Sequence, residues 1–402
     1  MIPAGWKSVT AGQLASERTG SVDPAKFPDE IFDLYSIPSY DTGEPEVLAG
    51  REIGSSKKVV KQGDILISKI VPHIRRVWIV GPNRGRRQIA SGEWISFSDE
   101  GIYPEYLRYF LLSDGFHTKF MSTITGVGGS LLRARPSEVN KIAVPLPPLA
   151  TQKHIARVLE QADQLRKQAQ QMESELNQLA QSLFLEMFGD PAKNEKSWPQ
   201  FSLSQLTTKI GSGSTPTGGK EAYQDIGISL IRSLNVHDGE FLYKNLARID
   251  DQQANALSNV VVEPQDVLLN ITGASVCRCC VVPSDVLPAR VNQHVAILRP
   301  DGKKLTTAYL QALIVSPSFK ATLLRLAGAG ATREALTKGT LEELQIPTPP
   351  LDKQISFENA MNGITKQIEA IKVKQRQLES LFESLMQRAF NGELTAPERR
   401  AA

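Results

Sequence analysis

The sequence predicts an α+β protein: two pseudo-twofold-related globular domains joined by two long antiparallel coiled-coil helices. Three observations carry that prediction: a long internal repeat, an alternation of texture, and two heptad runs. Pro145-Leu146-Pro147-Pro148-Leu149, followed by Gln152, recurs as Pro347-Thr348-Pro349-Pro350-Leu351, followed by Gln354, at an offset of 202. The same offset pairs Leu176 with Leu378, Leu183 with Leu385 and Phe188 with Phe390. Upstream, Asp64-Ile65-Leu66 aligns with Asp266-Val267-Leu268. With a small slip, Trp6, Val9 and Leu14 align with Trp198, Phe201 and Leu206. Solenoid repeats have periods of about 20–50 residues, so a whole domain plus a helix has been duplicated here.

The texture divides the 402 residues into five parts: 1–148, 149–190, 191–347, 348–392 and a flexible tail over 393–402. The first mixes short apolar runs with Gly, Pro and Ser punctuation. Asp64 to Ser68, Val77 to Val80 and Trp94 to Phe97 read as strands, and Tyr106 to Phe120 reads as one helix. Residues 149–190 are rich in Gln, Glu, Leu and Ala, with no Pro or Gly until Gly189. The third part repeats the first texture and the fourth repeats the second.

Both helical parts carry heptads. Val158, Ala162, Leu165, Ala169, Met172, Leu176, Leu179 and Leu183 alternate spacings of 4 and 3, and so do Met361, Ile364, Ile368, Ile371, Gln375, Leu378, Phe382 and Leu385. That spacing is a coiled-coil seam. A helix over 152–188 would be about 55 Å long at 1.5 Å per residue. The prolines mark the helix starts, and Gly189 and Gly392 mark the stops. Near those stops Leu183, Phe184, Leu185, Met187 and Phe188 are apolar around the circumference, as are Phe382, Leu385, Met386 and Phe390. A helix apolar all round is buried all round, so the opposite globular domain or a partner subunit should cover these ends.

Composition sets limits on function. Apolar content is 41% and charged content 22%, as in ordinary soluble proteins. There is no run of about 18 apolar residues and no signal-type N-terminus. Cys277, Cys279 and Cys280 lack metal spacing and read as reduced cysteines on a buried strand, which points to the cytoplasm. Net charge is only +3, yet residues 57–87 hold nine Lys and Arg against the single acid Asp64. Such a local excess is an electrostatic footprint for phosphate, or else a solvated edge strand protected by its charges.

Catalytic signatures are missing. There is no Asn/Asp-Pro-Pro-aromatic methyltransferase motif and no GxGxxG. The loop Gly211 to Lys220 fails as a P-loop, because Ser214 stands where its first Gly is needed and Glu221 replaces the magnesium-binding Ser/Thr. The five histidines show no ligand spacing. Binding is therefore favoured over chemistry.

The duplicated Pro-x-Pro-Pro-Leu-x-x-Gln opening a long helix resembles the specificity subunit of type I restriction-modification systems. So do Gly213-Ser214-Thr215-Pro216 with Tyr223, Gly227 and Ile231-Arg232-Ser233, the run Asn292-Gln293-His294-Val295, and the stretch from Gly328 to Thr332. The first copy departs from the pattern, with Ala90-Ser91-Gly92-Glu93 where the second has Asn292-Gln293-His294. The resemblance implies a non-catalytic chain whose two globular domains are target recognition domains, each reading half of a bipartite double-stranded DNA site. It implies two methyltransferase subunits that use S-adenosylmethionine, and restriction translocase-nuclease subunits, as partners. This chain would itself carry no cofactor and no metal, and would not contact a membrane. The alternative is a duplicated protein–protein adaptor without DNA specificity.

Candidate DNA contacts follow from side-chain chemistry. Arg pairs bidentately with guanine, Asn and Gln with adenine, and Lys, Arg, Ser and Thr hold phosphates. In the first domain the candidates are Lys57, Lys58, Lys69, Arg75, Arg76, Arg84, Arg86, Arg87, Arg133 and Arg135. In the second they are Ser214, Thr215, Lys220, Arg232, Arg278, Asn292, Gln293 and Arg333.

Overall fold

The computed structural model describes residues 5–15, 20–98, 100–126, 132–216, 218–328 and 334–394, with the backbone alone at Lys220. Arg333, most of the 328–332 stretch and the tail from 395 onward lie outside the described residues. The chain forms two compact units, residues 1–170 with 373–402 and residues 171–372. Each unit therefore joins a globular α+β part to portions of both long helices.

In the first unit a five-stranded sheet runs Ser21–Val22, Lys57–Val59, Arg87–Ala90, Ile31–Tyr35, Glu46–Ala49 in spatial order. Beside it lies a three-stranded sheet of Val77–Ile79, Ile65–Ser68 and Trp94–Phe97. The second unit repeats the plan with two four-stranded sheets. One is Thr207–Ser212, Val295–Pro300, Val267–Asn270 and Cys279–Val281; the other is Ala247–Ile249, Ile228–Ile231, Ala289–Val291 and Val261–Val262. In each unit one pair of strands is parallel: Ile31–Tyr35 with Arg87–Ala90, and Ile228–Ile231 with Ala289–Val291. The expected strands over 64–68, 77–80 and 94–97 all form. The cysteines are buried in or beside the strand Cys279–Val281. Burial pushes the Cys277 thiol up to about 11 and that of Cys280 to about 12, so both stay protonated near neutral pH.

The repeated proline motif is an elbow that a buried glutamine locks. Gln152 is 1% exposed; its Oε1 accepts from the Tyr103 N–H at 2.9 Å, and its amide donates to the carbonyls of Gly101 and Pro147. Gln354 does the same with Thr306, Lys304 and Pro349. The Tyr106 hydroxyl donates to the Pro145 carbonyl and that of Tyr309 to the Pro347 carbonyl. Prolines have no N–H to join a ladder, so side chains supply the bonds that fix the entry of each helix.

The single helix expected over 106–120 is two helices, Pro104–Leu112 and Asp114–Met121. Ser113 is extended at ψ 151, its Oγ donates to the Phe110 carbonyl, and the same oxygen accepts from the Phe116 N–H. One serine thus ends the first helix and caps the second. Ser316 stands at the same junction between Thr307–Val315 and Pro317–Gly328, and its Oγ donates to the Leu313 carbonyl.

The long helices, Leu149–Phe188 and Leu351–Phe390, have 40 residues each. They pair antiparallel: Arg166 meets Glu379, Ala169 meets Gln375, and Glu173 meets Lys372. The second helix buries, wholly or partly, all eight expected seam positions. The first does not. Ala162 and Ala169 are buried, but Leu165, Met172 and Leu179 are 44%, 48% and 52% exposed. Arg166, Glu173 and Ala180 turn inward instead. The reason is visible at Arg166, which forms two hydrogen bonds to Glu379 at 2.8 and 2.9 Å and lies 4.3 Å from the centre of the Phe382 ring. A planar guanidinium on an aromatic face holds the seam there.

The apolar helix ends are covered as expected. In the second unit Phe184 and Phe188 join Tyr309 and Phe357 in one aromatic cluster. In the first unit Phe390 packs on Tyr106 and Phe110, and Phe382 on Tyr109. Leu185 alone of these remains largely exposed, at 47%.

Candidate nucleic-acid interface

Folding brings acids from outside residues 57–87 onto the basic segment. Arg75 pairs with Asp114 at 2.6 Å, Arg84 with Glu44 at 2.9 Å, Arg86 with Asp33 at 2.5 Å and Arg87 with Glu30 at 3.1 Å. Arg76 lies 3.9 Å from Asp41, and Lys69 lies 3.7 Å from Glu93, which Arg133 also meets at 3.4 Å. The Lys58 ammonium donates to the Trp94 carbonyl at 2.6 Å, and its burial, with Lys69 nearby, lowers its pKa. Burial also lowers that of Lys57, which bonds Ser55. Arg135 donates to the Thr123 carbonyl at 3.3 Å. The local excess of charge is thus largely compensated in space, by residues 39 to 53 positions away for Asp114, Glu44 and Asp33.

These arginines are not interchangeable. Asp33 is 1% exposed, and Arg86 is its charged partner, whereas Arg84 and Glu44 are both more than half exposed. Removing one partner of a buried pair strands a charge and costs about 3 kcal/mol; an exposed pair contributes less than about 1 kcal/mol. Arg86→Ala should therefore lower the melting temperature clearly, and Arg84→Ala should leave it nearly unchanged. Equal melting curves for the two variants would show that Asp33 does not depend on Arg86.

In the second unit the candidates gather where the two sheets meet. Gly213 lies so close to the neighbouring strand that a Cβ there would sit 1.8 Å from the Val291 carbonyl oxygen, and its N–H donates to the Asn292 carbonyl at 3.1 Å. Only glycine permits that approach, and it leaves Ser214 and Thr215 exposed beside the Asn292 turn. Arg232 lies 4.9 Å from the centre of the Tyr223 ring and donates to the Asn245 carbonyl at 2.5 Å. Arg278 contacts His237 at 3.4 Å. Asn292 is 8% exposed and its Oδ1 accepts from the His294 N–H at 3.0 Å, so it shapes the turn. The Gln293 amide nitrogen lies 3.1 Å from His294 Nε2, and His294 Nδ1 lies 2.6 Å from the Thr272 hydroxyl. Arg333 and the side chain of Lys220 lie outside the described residues.

Reading residue types alone missed Glu93, Thr272, His237 and His294, which share these surroundings. The signal for Glu93 was present: it stands where the second copy has His294, so the two copies differ there.

Residues 3–178 match the type I restriction modification DNA specificity domain. That match spans the first globular part and most of the first long helix.

The likeness to specificity subunits runs the length of the chain. The MjaVIII specificity subunit of Methanocaldococcus jannaschii is 19% identical over 98% of this chain and 94% of its own. The HindI specificity subunit of Haemophilus influenzae is 19% identical over 97% and 99%. The EcoBI specificity subunit of Escherichia coli reaches 25% identity over 63% of this chain and 58% of its own. Two solved structures share the fold. One chain, from a type I restriction-modification system studied for its assembly and conformational transition, has a TM-score of 0.60 at 22% identity, covering 98% of this chain and all of its own. The specificity subunit from M. genitalium has a TM-score of 0.61 at 12% identity, covering 97% and 96%. Among the described residues, no helix is long and apolar enough to cross a membrane.

Proposed function

We propose that this chain is the sequence-specific DNA-binding subunit of a type I system. It reads a bipartite target, one half-site per globular part, and directs two methyltransferase subunits and the restriction translocase-nuclease subunits to it. The observation that supports this best is divergence on a shared backbone plan. Ser91-Gly92-Glu93 and Asn292-Gln293-His294 form corresponding turns, yet they present a carboxylate in one copy and an amide with an imidazole in the other. Two different half-sites require such a difference; a symmetric adaptor does not. The chain contributes no chemistry of its own. Methyl transfer, with S-adenosylmethionine, belongs to the partners.

In this reading the phosphate contacts come from the exposed cations Arg75, Arg84, Arg87, Arg133 and Arg135, with Lys57, Lys58, Lys69, Arg76 and Arg86 behind them. In the second unit they come from Ser214, Thr215, Arg232, Arg278, Lys220 and Arg333. Arg75, Arg84 and Arg87 exchange a carboxylate for a phosphate when DNA arrives, since Arg binds both in the same fork.

The test combines salt dependence with spacing. Binding to target duplex should weaken as salt rises, with log affinity falling by about 0.9 per phosphate contact for each unit of log salt. Salt-independent binding, or none, would favour the adaptor. Inserting one heptad near Ala169 and another near Ile371 keeps each residue on its face and adds about 10.5 Å to each helix. Methylome sequencing should then show the same half-sites with up to about 3 base pairs more between them, at about 3.4 Å per base pair. An unchanged spacer in an active complex would refute the helices as its determinant.

A further inference from the structure

Two corresponding turns, one in each unit, hold a buried oxygen acceptor that receives no hydrogen bond. The correspondence rests on the backbone. The Lys69 N–H donates to the Glu93 carbonyl and the Ile271 N–H to the His294 carbonyl, each at 3.0 Å. The Ser91 N–H donates to the Tyr35 carbonyl and the Asn292 N–H to the Ile231 carbonyl, each at 3.1 Å. The Ser91 hydroxyl accepts from the Glu93 N–H, as Asn292 Oδ1 does from the His294 N–H. Adjacent bridges join Ile70 to Arg133 and Thr272 to Ala335.

The next residue along confirms that one backbone shape has been kept in both copies. Gly273 has φ 76, and its counterpart Val71 has φ 47. A β-branched residue in the left-handed region is an outlier, and such outliers cluster at functional sites.

The unsatisfied atoms are Glu93 Oε2 in the first unit and Gln293 Oε1 in the second. The other Glu93 oxygen faces Arg133 at 3.4 Å, while Oε2 has only the Lys69 ammonium, 3.7 Å away, beyond hydrogen-bond reach. Gln293 spends its amide nitrogen on His294 and leaves its oxygen bare. Asn270, at the end of the adjoining strand, likewise donates to the Ser233 carbonyl while its Oδ1 finds no donor. A buried acceptor without a donor is destabilising in the free chain, and a ligand that brings a donor removes the penalty.

In the major groove the bases that bring a donor are adenine, through N6, and cytosine, through N4; guanine and thymine present oxygen acceptors at the same place. Resting on the DNA-reading function proposed above, we infer that Glu93 and Gln293 are specificity-determining residues, each selecting an amino-bearing base at one position of its own half-site. Both side chains are partly exposed, so rotation about their own torsions turns the acceptor toward the groove.

The test is selection from randomised duplexes by the full chain in complex with its methyltransferase subunits, followed by sequencing. In Glu93→Gln the amide oxygen stays with Arg133 and an NH2 group replaces Oε2. One position of one half-site should change from A or C to T or G, by about 10- to 100-fold in preference, with the other half-site unchanged. In Gln293→Leu the preference at one position of the other half-site should fall by about 10-fold or more, while the melting temperature is not lowered. Gln293→Glu keeps an acceptor in place and should keep the preference. Variants that select the unaltered sequence, or a Gln293→Leu that melts early without changing the selected bases, would mean that these oxygens only hold internal water. That overturns the inference alone. A wild-type complex that selects no bipartite sequence overturns the proposed function and this inference with it.

Discussion

Phe188→Asp is expected to unfold the second unit. Phe188 is 2% exposed, and its ring centre lies 4.8 Å from that of Tyr309 and 5.3 Å from those of Phe184 and Phe357. The buried residues packed around it are apolar. A charge there loses its hydration and gains nothing in exchange, a cost of more than about 4 kcal/mol. Natural domains are stable by only about 5–15 kcal/mol. Phe390 occupies the corresponding end of the other long helix but is only partly buried, 5.8 Å from Tyr106 and 5.4 Å from Phe110. In Phe390→Asp the carboxylate can reach water, so the loss should be smaller. Urea denaturation of the full chain, followed by hydrogen exchange in each unit, separates the two. An unaltered second unit in Phe188→Asp would contradict the packing of this cluster.

Gln354→Leu should be nearly as severe, although it replaces a polar residue by an apolar one of similar size in a buried place. Gln354 is fully buried and makes three hydrogen bonds, accepting from Thr306 at 2.9 Å and donating to Lys304 and Pro349 at 2.8 Å each. Leucine leaves all three backbone groups without that partner. Each stranded group costs about 1–3 kcal/mol, so a loss of about 3 kcal/mol or more is expected. Gln152→Leu should behave alike in the first unit, where Gln152 bonds Tyr103, Gly101 and Pro147. Thermal melting measures both. A change below about 1 kcal/mol would show that the elbow is held by its prolines and tyrosines alone, since an ordinary hydrogen bond contributes about that much.

Much of this architecture was legible in the order of residues. The 202-residue repeat, the two proline elbows, the extent of the long helices and the burial of Phe184 and Phe188 all follow from spacing and composition. So does the seam of the second helix, whose eight positions turn inward in the expected phase. These features are written locally: a heptad needs only its own residues, and an apolar circumference states its need for cover without naming the cover.

Other features were not legible. The break at Ser113 turns on a single hydroxyl bonding both neighbouring helices. The first helix presents Arg166 inward, rather than Leu165, because Glu379 and Phe382 lie opposite, 213 residues away in sequence for Glu379. The basic segment looked unopposed because its acids, Glu30, Asp33, Glu44 and Asp114, lie outside it.

The candidate site divides the same way. Residue type marked Arg84, Asn292 and Gln293 as groups able to meet DNA. It could not separate Arg86, which serves a buried carboxylate, from Arg84, which faces solvent. Nor could it show that Glu93 and Gln293 each carry an acceptor left without a donor. Periodicity and motif are properties of neighbours along the chain and survive in the sequence. Whether a charge is compensated or an acceptor satisfied depends on which distant segments folding brings within about 3 Å, and no order of residues states that directly.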